Sequence, residues 1–521
     1  MSRSTSTHIS EAPTRPIASA LSEPGADELF RGPVGGGGAE LRLDEKLRQA
    51  YLWIANHGII SPFHDIHYHK LAGPSFRFGD RKIEVELPTD QSYSSYILLP
   101  LLNLVVRRRC LLVGGPGRGK TAIAILMGVL SGYSLTDIKR GIQHGQPQMT
   151  VADLLGNPLP SSLMSATRMD EVQISWRRWL SMRVKIIDEY NRIPTRTQSA
   201  LLTVMGDNYA EVYDQIYECP EAAWYLTAND DAGGGTYEVI EALRDRIDVV
   251  VRALHFNSRF LGELLARVEE GYRPEEVVPA PLLFSEAELD QIEKSIRRVR
   301  VPNPIRRRIE FFASQFELFE PAARQLDYLT KDTVRVAGAD LAALASTETG
   351  KDPMVDLGRQ TRNGLSVRAL MTMLIFTKAM AWFRGETEVG FEDVRQILPF
   401  VLQDKLVPNL DAPFFEAEGN AALRTDLVSW IRSLWDLSCR EYDRLNLDKD
   451  DPVAAMLAEM QRGLDGVDAA EVRRRLVQIE GVLRSWSAGR KLHGPLYDDI
   501  LTLKYLHQRY TNYLSWLSWR R

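Results

Sequence analysis

The sequence predicts a parallel α/β core followed by two helical units. Three observations carry that expectation. Short apolar runs (Cys110–Val113, Val184–Ile187, Ala223–Thr227, Val249–Val251) alternate with helix-forming stretches between 92 and 255, as in a parallel sheet covered by helices. A glycine-rich loop, Gly114-Gly115-Pro116-Gly117-Arg118-Gly119-Lys120-Thr121, separates the first run from the helix-forming stretch Thr121–Leu130. From 256 onward the chain reads as mainly helical.

The elements follow in order. Residues 1–40 are rich in Ser, Pro, Gly and Ala and end in four glycines. Such a segment cannot bury enough apolar surface to offset its chain entropy, so it is expected to be disordered. Over 41–91, Leu43 to Ile60 reads as a helix with Leu47, Ala50, Tyr51 and Ile54 on one face. Alternating Phe76, Phe78, Ile83, Val85 and Leu87 around Gly79-Asp80 then predict a hairpin. Tyr96 to Val106 reads as a buried helix ahead of the first strand. Residues 256–408 read as mainly helical, with an irregular insertion near 330–362. Residues 409–521 form a separate C-terminal helical unit. There Asp451-Pro452 sets an N-cap before a first-turn proline, and Asp468 with Glu471 resembles a capping box. Val472, Leu476, Ile479, Leu483 and Trp486 follow at coiled-coil spacing.

Composition narrows the classes. With 521 residues, 44% hydrophobic and 26% charged, the chain is a globular protein of several units. A net charge of −5 argues against a dedicated nucleic-acid binder. Cys110, Cys219 and Cys439 are far apart and read as buried thiols in a reducing compartment. No signal peptide is visible, and no run approaches the roughly 18 apolar residues of a membrane span. These features give a cytoplasmic expectation. His64, His67 and His69 match no strong metal template and read as a polar loop. Trp430, Trp435, Trp486, Trp516 and Trp519 stand at helical positions, most of them expected in a core.

The glycine-rich loop carries the chemistry. From Gly114 to Thr121 it satisfies G-x-x-x-x-G-K-[ST], between a strand and a helix. Glycines let backbone N–H groups wrap phosphates, and the helix N-terminus adds partial positive charge. Lys120 supplies a full charge, and the Thr121 hydroxyl is suited to ligate Mg²⁺. A second strand, Arg183 to Ile187, ends in Asp188-Glu189. Acids at the end of a buried strand are costly unless they have a task. Asp188 is expected to hold Mg²⁺ and Glu189 to polarise the attacking water. Lys185 interrupts that apolar strand without an evident reason.

Asp188-Glu189-Tyr190-Asn191-Arg192-Ile193-Pro194 is followed by Gln198-Ser199-Ala200-Leu201-Leu202, and together they resemble the "DE-x-NR-x-P…Q-x-ALL" block of the MoxR-type AAA+ ATPase family. In order along the chain, Ile142-Gln143, Asp153-Leu154-Leu155-Gly156, Leu226-Thr227-Ala228-Asn229, Gly235-Thr236-Tyr237, Asp245-Arg246, Gly364 to Ala369 and Glu392-Asp393-Val394 resemble its further motifs. Ile247 stands where an aromatic residue is usual nearby. The likeness spans about 92–408. It implies an AAA+ core with a helical lid, ATP with Mg²⁺, and chaperone-like remodelling, often beside a von Willebrand factor A protein. It implies that Asn229 senses the γ-phosphate and that Arg368 contacts the same phosphates from the lid. Arg246 would act in trans as an arginine finger, with Arg244 as the alternative. A trans arginine implies a homo-oligomeric ring, most simply a hexamer. The alternatives weighed against a protein remodeler are a nucleic-acid-linked motor or defence-system effector, and a scaffold that uses ATP only to assemble.

Overall fold

The computed structural model describes residues 42–521 except 61–62, 80–82, 167, 169–170, 230–238, 254–255, 318–319, 323–326, 330–355, 449–450, 488–493 and 520–521. The expected disordered tail, most of the expected insertion, and Gly235-Thr236-Tyr237 lie outside the described residues.

The chain opens with α1 (Leu43–Trp53), which continues into one π-helical turn, Ile54–Gly58. The hairpin β1 (Ser75–Phe78) and β2 (Ile83–Glu86) pairs Phe76 with Val85 across the strands. Helix α2 (Ser95–Val106) is buried at every residue but Tyr96. It feeds β3 (Arg109–Val113), the strand that carries the phosphate loop. Then come α3 (Lys120–Leu130), β4 (Gln143–His144), β5 (Val184–Asp188), α4 (Thr195–Asp207) and β6 (Ala223–Ala228). The unit closes with α5 (Glu241–Arg246) and β7 (Val249–Arg252).

Five strands form one parallel sheet in the order β7-β3-β6-β5-β4. The four expected apolar runs are four of these strands. The fifth, the two-residue β4, is too short and too polar to be read from a hydrophobic pattern.

Strand residues alternate between two faces. Cys110, Leu112, Val184, Ile186, Ala223, Tyr225, Val249 and Val251 enter one core with α1, α2 and α3. Leu111, Ile187, Trp224, Leu226 and Val250 enter a second core with α4 and α5. Each fully buried aliphatic side chain contributes about 2 kcal/mol. The sheet therefore has no solvated face, which is why its strands read as unbroken apolar runs rather than alternating ones.

Lys185 is the exception, and the structure accounts for it. Its side chain is 1% exposed, yet its ammonium donates to the carbonyls of Leu180 and Met182 and lies 5.8 Å from the Trp224 ring centre. Burial pushes its pKa down to about 8, the charge of nearby Cys219 opposing. The lysine ties the turn before β5 to the strand itself.

Beyond the sheet, α6 (Leu261–Glu269), α7 (Glu286–Arg298) and α8 (Asn303–Glu317) lead to the lid helices α9 (Val367–Phe383) and α10 (Phe391–Leu402). Helix α9 packs on α2 and α7, and α10 on β7. The next helix, α11 (Leu427–Arg444), inserts Trp430, Ile431, Leu434 and Trp435 into this same core. A separate core starts with α12 (Pro452–Gln461), α13 (Ala469–Ser487) and α14 (Gly494–Trp519), around Val453, Val472, Ile479, Leu503, Leu506 and Tyr510. Asp451 caps α12 through the Ala454 N–H at 2.8 Å, and Asp468 accepts from Glu471 N–H at 2.8 Å. Of the tryptophans, Trp516 and Trp519 near the end of α14 are exposed, outside the core expected for most of the set. Among the described residues no helix is long and apolar enough to cross a membrane.

Candidate active site

The phosphate loop leaves the buried end of β3 and enters α3. Gly117 and Gly119 take left-handed φ angles of 72° and 74°, and Arg118 between them does not. Such alternation curls successive N–H groups into an anion-binding concavity, here opening on a helix N-terminus. Lys120 is buried there, donating to the carbonyls of Gly114 (2.6 Å) and Gly115 (2.8 Å) and to Asn229 Oδ1 (2.9 Å). The Tyr96 hydroxyl donates to the Arg118 carbonyl at 3.2 Å, pinning the loop to α2.

Sheet register brings the other groups to the loop. Ala228 pairs with Val113, and Leu226 with Ile187. Asn229 and Asp188 therefore emerge beside the loop at the C-terminal ends of adjacent strands. The Thr121 hydroxyl donates to Asp188 Oδ1 at 2.7 Å. His144, on β4, places Nδ1 3.3 Å from Asp188 Oδ2. Gly145 donates its N–H to the Asp188 carbonyl at 2.7 Å, and a Cβ there would sit 2.2 Å from the Glu189 carbonyl oxygen. No larger residue fits that crossing.

Glu189 leaves the strand in the left-handed region, at φ 53° and ψ 47°. For a residue with a Cβ this costs roughly 1–2 kcal/mol. Its carboxylate accepts from Asn229 Nδ2 at 2.9 Å and pairs with Arg192 Nε at 3.2 Å. Lys120, Asn229 and Glu189 thus form one hydrogen-bonded chain from the loop to the acid. His144, Gly145, Arg192 and Thr227 belong to this cluster as well. Arg192 and Thr227 lie inside the motif segments, where residue type alone gives them no role. His144 and Gly145 directly follow Ile142-Gln143 and carry no separate sequence signal.

The arginines stand elsewhere. In the register of β7 on β3, Val249 pairs with Cys110 and Arg252 with Val113. The C-terminal end of α5, just before β7, therefore lies beside the start of β3. That is about 13 Å, four strand residues, from the loop. Arg246 donates from there to the Leu202 carbonyl and lies over Gly206 of α4. Arg368, in the first turn of α9, is ion-paired with Asp245, which also accepts from the Ser366 hydroxyl at 2.9 Å. The expectation that Arg368 reaches its own nucleotide from above does not fit this geometry. The lid packs against α2 and β7 instead of over the loop, so Arg368 shares the far end of the sheet with Arg246. Arg244 is half-buried on the same helix, where its charge is felt by Tyr190 and Asp404.

Beside the loop opens a cavity of about 860 Å³, walled by Ile59, Ile60, Tyr96, Phe256, Val268 and Tyr272 among others. Its apolar walls suit a flat heteroaromatic base next to the phosphate cradle. These residues come from three separated stretches of chain, which is why no motif reported them. At the loop itself, a hydroxyl and a carboxylate side by side form an oxygen donor pair suited to a hard cation such as Mg²⁺. The cradle and the Lys120 ammonium suit an anionic phosphate chain. The residues present therefore fit a metal-bound nucleoside triphosphate.

A parallel sheet with a phosphate loop on an inner strand, strand-end acids beside it and a helical lid is the AAA+ architecture. The family model for the ATPase family associated with various cellular activities (AAA) matches residues 109–249, and the AAA lid domain model matches 358–426. Chaperone MoxR1 of Mycobacterium tuberculosis is 26% identical over 230 residues, covering 44% of this chain and 51% of the relative. The match spans about half the length of that relative. A crystal structure of a candidate ATPase from Cytophaga hutchinsonii aligns with 64% of this chain and 88% of its own, at 20% identity and a TM-score of 0.45. Over these segments the chain is similar to MoxR-type AAA+ ATPases.

Proposed function

We propose that the chain hydrolyses Mg²⁺–ATP at the interfaces of a homo-oligomeric ring, most simply a hexamer, to remodel or activate partner proteins in the cytoplasm. The observation that carries this reading is the hydrogen-bonded chain Lys120–Asn229–Glu189 beside the Thr121–Asp188 pair.

Residues Gly114 to Thr121 cradle the phosphates. Lys120 exchanges the Gly114 and Gly115 carbonyls for phosphate oxygens. Thr121 and Asp188 hold Mg²⁺, directly or through water. When bound, the cation neutralises charge on the phosphate oxygens. Glu189 orients and polarises the attacking water, and Asn229 reports the γ-phosphate to it. The apolar cavity takes the base.

The placement of Arg246 and Arg368 at the end of the sheet away from their own loop supports action in trans. A neighbouring protomer's loop would meet this end of the sheet in a head-to-tail ring, where a guanidinium stabilises transition-state charge. Arg246 is the finger in this reading, Arg244 the alternative, and Arg368 joins it from the lid. The relative named as a chaperone motivates the remodelling role. A von Willebrand factor A protein remains the proposed partner class, on the family resemblance.

The test is the solution mass of Glu189→Gln with and without ATP and Mg²⁺. A nucleotide-dependent shift to a ring of about six copies is expected, because sites completed in trans require neighbours. A monomer under both conditions removes the trans arginines from the mechanism.

A further inference from the structure

We propose that Thr227 is a positioning residue for ATP hydrolysis, one buried hydroxyl fixing both the Asp188 carboxylate and the backbone of Glu189. The inference rests on the assignment of Asp188 and Glu189 to the chemistry and extends it to a fully buried residue.

Thr227 is fully buried on β6. The register pairs its neighbour Leu226 with Ile187, so Thr227 lies opposite Asp188, one step further on. Its hydroxyl donates to Asp188 Oδ1 at 2.7 Å and accepts the Glu189 N–H at 2.9 Å. A hydroxyl both donates and accepts, so a single oxygen serves both neighbours. An ionised carboxylate can only accept, and a backbone N–H can only donate. No side chain without a hydroxyl does this in the same space.

The two bonds act on different parts of the site. Asp188 Oδ1 already receives the Thr121 hydroxyl, so a second donor on that oxygen fixes the carboxylate between the two threonines. Strand β5 ends at Asp188, where the chain turns left-handed and Glu189 loses any ladder partner for its N–H. The Thr227 oxygen takes that N–H. It thereby holds the strained turn that sends the Glu189 side chain toward Asn229 instead of along the strand. Loosening either group by a fraction of an ångström misplaces the carboxylate that aligns water.

The variants separate a positioning role from a packing role. Thr227→Val keeps shape and loses the hydroxyl. Thr227→Ser and Thr227→Ala both lose the methyl and differ in one oxygen. In the full-length chain, kcat for ATP is expected to fall roughly 100-fold in the Val and Ala variants, with KM changed less than about threefold. Thr227→Ser is expected to stay within about fivefold of the parent. The nucleotide dissociation constant, measured by calorimetry, should stay nearly level across the series. Equal kcat in the Ser and Ala variants overturns the proposal, as does a loss of nucleotide affinity that parallels the loss of kcat. Glu189→Gln, run alongside, distinguishes the two readings. If it still turns over ATP, the catalytic assignment itself fails. If it stops while Thr227→Val and Thr227→Ala run normally, the role of Thr227 alone fails.

Discussion

Where β3, β5 and β6 finish, the polar side chains bond to groups that a phosphate can replace; where the same strands begin, they bond into closed networks. Lys120 donates to two loop carbonyls and to the Asn229 amide oxygen. At the opposite end Arg109 pairs with Asp248 at 3.3 Å, and Asp248 also accepts from the Thr372 hydroxyl on the lid. There Gln403 donates to the Val250 carbonyl at 2.6 Å and Lys405 to the Ile247 carbonyl. One end is arranged for exchange of partners, the other to weld the lid to the sheet. The two arginines expected to serve a phosphate both stand at the welded end. A rigid mount suits a group that must be presented to a neighbour, since the geometry is then set by docking and not by a mobile side chain.

The largest effects test that contrast directly. Lys120→Ala is expected to abolish nucleotide binding, while Arg246→Ala keeps binding and loses roughly 1,000-fold in turnover. Neither chain alone then hydrolyses ATP. Mixed, they should regain activity, because the Arg246→Ala protomer offers an intact loop to the intact arginine of its Lys120→Ala neighbour. Steady-state phosphate release from the mixture is the measurement. Mixed rings that form but stay inactive break the comparison.

A smaller effect comes from Lys185, near the beginning of β5. Its folded pKa of about 8 lies below the ordinary lysine value, so between pH 8 and 10.5 the unfolded chain keeps a proton that the folded chain has lost. Stability from this group therefore rises with pH across that window, by an amount on the order of 3 kcal/mol. Denaturant unfolding at pH 7 and pH 10 should show the parent gaining on Lys185→Met. No relative gain means that the amine is not held in a dry network.

A second pH effect lies outside the sheet, where α8 meets α14. Arg307 pairs with Asp451 at 2.5 Å, and burial beside Asp451 raises Asp499 to a pKa of about 7, Arg307 opposing. Here the folded chain keeps a proton that the unfolded chain loses from about pH 4 upward, so stability from this group falls as pH rises toward 7. Asp499→Asn should melt higher than the parent at pH 8, with the gap closing toward pH 4. An unchanged gap places Asp499 in contact with water.

Reading the chain alone located the loop, the acid pair and four of the five sheet strands. Those features are local. A phosphate cradle needs glycines and a lysine at fixed spacing, and a strand buried on both faces must be apolar without interruption. Helix ends were legible for the same reason, as at Asp451 and Asp468, where a cap reaches just three residues along the chain. Lys185 was visible but unexplained, since its carbonyl partners depend on how the turn before β5 folds back.

By itself, then, the sequence determined the kind of chemistry, because Gly114 to Thr121 and Asp188-Glu189 state it within short segments. Tertiary structure alone decided which groups share the site and which end of the sheet each arginine occupies. Thr227 meets Glu189 across 38 residues of chain, and His144 meets Asp188 across 44. Arg368 meets Asp245 across 123. Strand order, register and the seating of the lid fix those meetings. They follow from packing two apolar faces at once, which no local spacing encodes.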